Sequence, residues 1–365
     1  MHCCIHRPHL WVHWPGKRLG RTNGMSKPGR SGKDQVPIEA FRAIPRIDAS
    51  ALKGRMICTG TFYTGGAWQL WFPHEGRLMP LENEFSAEGM YFGDAAAQPH
   101  ELYLRALDLV AQHTSFADIR RPFVGICDAV YNLAASIAKL EQVTAHQKVI
   151  AGQTMHMTVM EVEYMAIQCR SIFDAIQKIL KFLWLQMHSA DDEYKPKCHL
   201  PESFGDMVLE KATPQTAQEL VKSYSIPESF AAIYAKHASF FVDLKQIRAA
   251  LVPKSAPSPS IFVTEEGAYI HRTMRPFSSI TAWRDEEVKS NDLVPLRPAL
   301  GAMIHRTLLA ADELVGAFAL IVALEPRIFP NHRLYLRAHS SLVLANVLAD
   351  ANDRYLARQS AAAPS

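Results

Sequence analysis

The chain has 365 residues and a net charge of +3, long enough to bury a sizeable core without disulfide or metal staples. The charge is uneven: residues 1–55 hold 11 Lys and Arg against 3 Asp and Glu, a surplus of 8 that leaves the remainder at −5. A mildly acidic body excludes a basic nucleic-acid-binding domain and leaves only a basic arm for non-specific phosphate contacts.

The first 24 residues lack the apolar stretch and cleavage site of a targeting signal. They are expected to be upstream sequence translated in error, with Met25 as the true start; the rival reading is a metal-binding arm of His2, Cys3, Cys4, His6, His9 and His13. Residues 1–45 as a whole read as a basic, disordered lead-in. A small domain follows over 46–98. Its β-favouring runs Met56 to Tyr63, Ala67 to Phe72 and Gly76 to Leu81, split by Gly-containing turns, predict a three-stranded meander. Its aromatics Phe62, Trp68, Trp71 and Phe72 are expected to pack the sheet onto neighbouring helices.

Residues 99–358 predict a helical bundle. A helix is expected from about His100 to Gln112, and then three long stretches keep a four-three apolar spacing: Ile119 to Leu140, Val162 to Leu183, and Phe230 to Leu251. Residues three and four apart share one side of a helix, so each seam faces a partner helix. Ser115 to Asp118 matches a capping box for the first stretch, Thr154 an N-cap for the second, and Ser225 to Glu228 a capping box for the third. Gly152 stops the first, so the first two are expected to fold back as an antiparallel hairpin. Thr213-Pro214 reads as the opening of a short helix to Tyr224. A β-hairpin insertion is predicted near 260–274, then helices over Leu296 to Leu324 and Leu334 to Arg358, and a disordered tail at 359–365. The fold class is thus mainly α: a long-helix bundle with a small N-terminal meander and one hairpin insertion.

No run reaches the 18 or so apolar residues of a membrane span; the best candidate, Gly316 to Leu324, is too short. The six Cys, at 3, 4, 58, 127, 169 and 198, show no CxxC spacing, so neither a zinc site nor a disulfide framework is signalled. Free thiols in a cytoplasmic setting are expected, with no metal and no cofactor.

Two polar residues interrupt the third seam. Arg248 lies between Leu244 and Leu251, where a charge needs a partner. Asp174 or Glu163 on the second helix, beside Arg170, is expected to reach it. His237 is the other intruder, read as a hydrogen-bonded core residue. Together Arg248, Asp174, Glu163 and His237 form the candidate polar cluster. Neighbouring His305 and Arg306 point in different directions on a helix and are not expected to share a site. No P-loop, dinucleotide-binding glycine pattern, nucleophile elbow or HExxH is present.

The segment Phe240-Phe-Val-Asp-Leu-Lys-Gln-Ile-Arg-Ala-Ala-Leu-Val-Pro-Lys254, with the Ser/Pro loop and hairpin after it, resembles the Arg- and His-bearing helix of HEPN-type helical domains. Cys169-Arg170-Ser-Ile-Phe173-Asp174 is similar to an earlier helix of such bundles. The resemblance implies metal-independent RNA cleavage across a dimer, in toxin or antiphage systems. Here Pro253, Lys254 and Ser255 occupy the positions of the His, and none is a general base near neutral pH. Three readings follow: a non-catalytic protein acting by association, with a homodimer as partner; a HEPN-type ribonuclease with an altered site, for which RNA is the partner; and a small-molecule sensor with a pocket between the long helices and the meander.

Overall fold

The computed structural model describes residues 11–12, 46–47, 55, 57–58, 60–74, 77–82, 89–188, 198–251, 261–337 and 341–362. They are mainly helical, with small sheets. In chain order the N-terminal part holds strands β1 (Trp11–Val12), β2 (Arg46–Ile47), β3 (Ile57–Cys58), β4 (Gly60–Thr64), β5 (Ala67–His74), β6 (Arg77–Glu82), β7 (Gly89–Gly93) and β8 (Leu102–Tyr103). Next come helices α1 (Arg105–His113), α2 (Arg120–Ala145), α3 (Gln147–Ile150) and α4 (Thr154–Leu185), strand β9 (Met187–His188), helix α5 (Phe204–Val208) and strands β10 (Leu209–Glu210) and β11 (Thr213–Pro214). Helices α6 (Ala217–Tyr224) and α7 (Glu228–Leu251), strands β12 (Phe262–Thr264) and β13 (Gly267–His271), helix α8 (Phe277–Ile280) and strand β14 (Leu293–Pro295) follow. The chain closes with α9 (Leu296–Ile321), β15 (Arg333–Arg337) and α10 (Ser341–Ala362).

The predicted meander is present as β4, β5 and β6, turned at Gly65 and Gly66, whose positive φ angles of 61° and 82° suit a two-residue hairpin. It belongs to a larger, six-stranded sheet ordered β6-β5-β4-β7-β15-β8. Strand β15 runs antiparallel between β7 and β8. The last predicted helix is therefore corrected: Leu334 to Arg337 are strand, and the helix begins at Ser341. That helix also extends to Ala362, so residues 359–362 are helical rather than a disordered tail. Most of the 1–45 lead-in lies outside the described residues, as does much of the 189–203 loop. Trp11 and Val12 pair with Cys58 and Ile57, and Arg46 and Ile47 with His188 and Met187.

Phe62 is a core residue, with ring centroids 5.0 Å from Trp71, 5.4 Å from Phe92 and 4.9 Å from Phe329. The four-three seams of α2, α4 and α7 are their buried faces: Phe123, Leu133, Val162, Ile176, Phe230 and Leu244 are all buried. Removing each such side chain from water contributes about 1.5–3 kcal/mol. Between α2 and α4, Asn132 donates to Gln168 at 3.5 Å and the Ser136 hydroxyl to Glu161 at 2.7 Å, with Lys139 completing the Glu161 carboxylate. Helix α9 is central, packing against α1, α4, α7 and α10.

Several helix starts differ from expectation. Phe116, not Ser115, stands at the N-cap position of a short 3₁₀ turn at Ala117–Ile119, with no side-chain cap, and α2 begins at Arg120. Thr154 is the first residue of α4, and its N-cap Gln153 makes no side-chain cap. Thr213 and Pro214 form β11, while Thr216 and Glu219 make a full capping box for α6. Ser225 ends α6 in the left-handed region, at φ 54°, instead of starting α7. Among the described residues, the helix long and apolar enough to cross a membrane is residues 117–145, not Gly316 to Leu324, and 56% of its most apolar window is buried in the fold.

Candidate functional site

The four residues of the expected polar cluster have separate tasks. Asp174, half-buried on α4, accepts a hydrogen bond at 3.0 Å from the backbone N–H of Phe204 and so anchors the start of α5. Glu163 is half-buried on the same helix. Arg248 lies in α7, but its side chain is outside the described residues, and with it the expected pairing to Asp174 or Glu163. His237 is 5% exposed on α7, and its Nε2 lies 2.8 Å from Glu313 of α9. Lys236 holds the same carboxylate at 2.7 Å through both oxygens.

His237 instead opens onto a different site. A cavity of about 350 Å³ lies among α7, α8 and the turn after it, α9 and the C-terminal half of α10. Such a volume suits a small organic ligand. Its polar wall carries Lys236, His237, His305, Arg306, Arg354 and Arg358, and among the described residues no carboxylate lines it. Here the expectation about residues 305 and 306 is overturned, because both line this one cavity. A step of about 100° along α9 turns His305 towards α10 and Arg306 towards α7. His305 meets Tyr355 of α10, with ring centroids 5.5 Å apart, whereas the Arg306 guanidinium stands 4.4 Å above the Phe240 ring of α7. The cavity lies away from the meander, where a ligand pocket was expected.

Not all of these cations are available. Arg354, buried in α10, is satisfied by Glu287 at 2.7 and 2.5 Å, Asp350 at 2.7 Å and the Ala282 carbonyl at 3.1 Å. Those bonds raise its pKa, and the same guanidinium holds the Glu287 carboxyl below its ordinary value. Arg354 therefore ties the segment after α8 to α10. Lys236 is matched by Glu313, whose burial would raise its carboxyl but is outweighed by the bonds from Lys236 and His237. Arg306 makes no hydrogen bond or ion pair among the described residues. Burial lowers its pKa, Asp243 opposes that, and Arg358 adds to it. Asp243 is itself occupied by the Ser279 hydroxyl, at 3.0 Å. Exposed Arg358 donates one N–H to the Ser279 carbonyl at 3.3 Å.

Among the described residues, two further polar atoms at this cavity are buried without a partner: the Thr281 hydroxyl, on a residue 6% exposed, and Nδ1 of His305. An orphaned buried polar atom costs about 1–3 kcal/mol, so a ligand that pairs with it gains that much advantage. Burial also lowers the His305 pKa, with a hydrogen bond to Asn352 opposing and Arg306 reinforcing, so the ring is neutral near pH 7.

Thr281 and Arg358 were not singled out from the sequence, and Arg306 was named beside His305 only to be set aside. A weak local signal was Arg354 and Arg358 four apart on α10, a like-charge pair that costs a helix about 0.2–0.5 kcal/mol. Among the described residues no three His, Cys, Asp or Glu side chains are grouped to hold a metal ion. Cys127 and Cys169 are free and buried, each thiol pushed up to about 12 by burial. A smaller cavity, about 220 Å³, lies where α2 and α9 meet the β12–β13 hairpin. No family model matches the chain, and neither a curated protein nor a solved structure matches it.

Proposed function

We propose that this chain is a receptor for a small anionic molecule, bound in the cavity between α7, α8, α9 and α10. The observation that carries the reading is the lining itself: among the described residues it presents Arg306 and Arg358, neither in an ion pair, and no carboxylate. Glu287, Asp350, Glu313 and Asp243 balance the total charge but stand behind the wall, so a group entering the cavity meets donors first. On this reading the long helices are one bundle, α2 and α4 its antiparallel hairpin and α9 its centre. The site is built where α9 meets the last helix. The altered-site ribonuclease reading would have Asp174 and His237 line one cleft with Arg248; Asp174 instead bonds the Phe204 N–H, and His237 bonds Glu313.

Thermal unfolding of the full chain at fixed ionic strength tests the reading. Acetate, citrate, sulfate and phosphate are compared with neutral sugars, for the wild type and for Arg306→Met. At least one anion is expected to raise the Tm of the wild type and not of the variant. A rise that survives the substitution, or none with any anion, sinks the reading.

A further inference from the structure

Resting on that reading, the charge and geometry of the cavity specify the class of anion. Two guanidinium groups face it from different helices, Arg306 on α9 and Arg358 on α10; Arg358 makes the charge on Arg306 less favourable, against the larger opposite effect of Asp243, which does not line the cavity. Two like charges converging on a cavity without a carboxylate between them are stabilised most by a ligand of charge −2. A single carboxylate would neutralise only one. Arg306 has no hydrogen-bond partner among the described residues, and Arg358 spends one N–H on the Ser279 carbonyl, so several donors remain. Thr281 adds a buried, unpartnered hydroxyl.

The remaining lining is apolar. Ile280, Ala302, Leu309 and Ala351 supply surface on the same concavity, beside the ring of Tyr355. A free inorganic ion would leave that surface empty, whereas an organic body joined to the anion covers it. A phosphate monoester has both parts: a head with three acceptor oxygens and a charge near −2 above its second ionisation, and an organic group. A phosphodiester, as in an RNA backbone, carries one charge and two terminal oxygens in place of three. We propose that the cavity is a phosphate monoester site, in which Arg306 and Arg358 hold the dianionic head, the Thr281 hydroxyl donates to it, and Leu309 and Tyr355 face the organic group.

The test is calorimetric titration of the full chain at about pH 8, where a monoester is dianionic. The probes are adenosine monophosphate, inorganic phosphate, adenosine, acetate and an oligoribonucleotide with a 5′-hydroxyl. Adenosine monophosphate is expected to bind most tightly, inorganic phosphate more weakly, and adenosine, acetate and the oligoribonucleotide not measurably. Arg306→Met and Arg358→Met are each expected to weaken the monophosphate by about tenfold or more, and Thr281→Val by several-fold. Arg358 is exposed, so its variant stays folded even if the stacked Arg306 proves structural. Acetate or the oligoribonucleotide binding as tightly as the monophosphate, with the same dependence on Arg306, overturns the monoester assignment while the anion receptor stands. Monophosphate binding that is absent, or indifferent to both arginine substitutions, overturns the assignment as well; with no other anion bound either, the receptor reading falls with it.

Discussion

A buried imidazole beside a carboxylate is pulled two ways, and at His237 burial prevails. Its pKa is lowered by desolvation, with Glu313 opposing and Lys236 and Arg306 reinforcing. The unfolded chain takes up a proton as the pH falls through about 6.5, and the folded chain takes it up only lower down. Protonation thus favours the unfolded state, so stability is full above about pH 6.5 and declines below it. His113, His305 and His332 are lowered by burial too and share the effect. The expected result is a wild-type Tm that falls between about pH 7.5 and pH 5.5, and a shallower fall for His237→Gln. Equal slopes for the two proteins would mean that His237 titrates as freely in the fold as out of it. Glu313 does not confuse the comparison, because a lowered carboxyl loses its contribution only as the pH falls below the ordinary glutamate range.

Helices α9 and α10 approach closely because α9 carries glycine where they cross. A Cβ on Gly301 would stand 2.9 Å from a methyl of Val347 and 3.1 Å from its carbonyl oxygen, whereas one on Gly316 in the same helix meets nothing within 4 Å. Alanine gains about 1 kcal/mol over glycine in a helix interior. Gly316→Ala should show that gain in urea unfolding, while Gly301→Ala should lose about 1–2 kcal/mol, since backbone cannot yield as a side chain does. Two gains would place the helices further apart than described. The seams were legible in the sequence because burial selects an apolar stripe, and that stripe has one spacing wherever a helix faces a core. Leu334 to Leu336 were not: a three-residue apolar run beside a helical pattern has no period of its own, and only pairing with Met90 to Phe92 makes it strand. The cavity was less legible still. His237, Thr281, Arg306 and Arg358 come from four separate segments; His237 stood out as a polar residue on an apolar seam, but nothing local says that packing brings these four to one cavity.

At the scale of the molecule, sheet and bundle are fastened through Asp108. This carboxylate, 2% exposed on α1, accepts from the backbone N–H of Leu334 at 3.0 Å, from Arg327 at 2.9 Å and from the Gln112 amide at 3.4 Å. Asp108→Ala strands Arg327 and the Leu334 amide, at an expected cost of about 3 kcal/mol in chemical denaturation, with faster hydrogen exchange along β15. A cost below about 1 kcal/mol would make the fastening superficial. Strand β15 also governs how the protein is made. A nascent chain presents β4 to β8 early, yet the place between β7 and β8 is filled only by residues 333–337. Throughout translation of the bundle the two flanking strands keep unpaired edges, which recruit other chains when left open. Closing the sheet is therefore among the last events of biosynthesis, and a message truncated anywhere before Arg333 yields a polypeptide that cannot perform it.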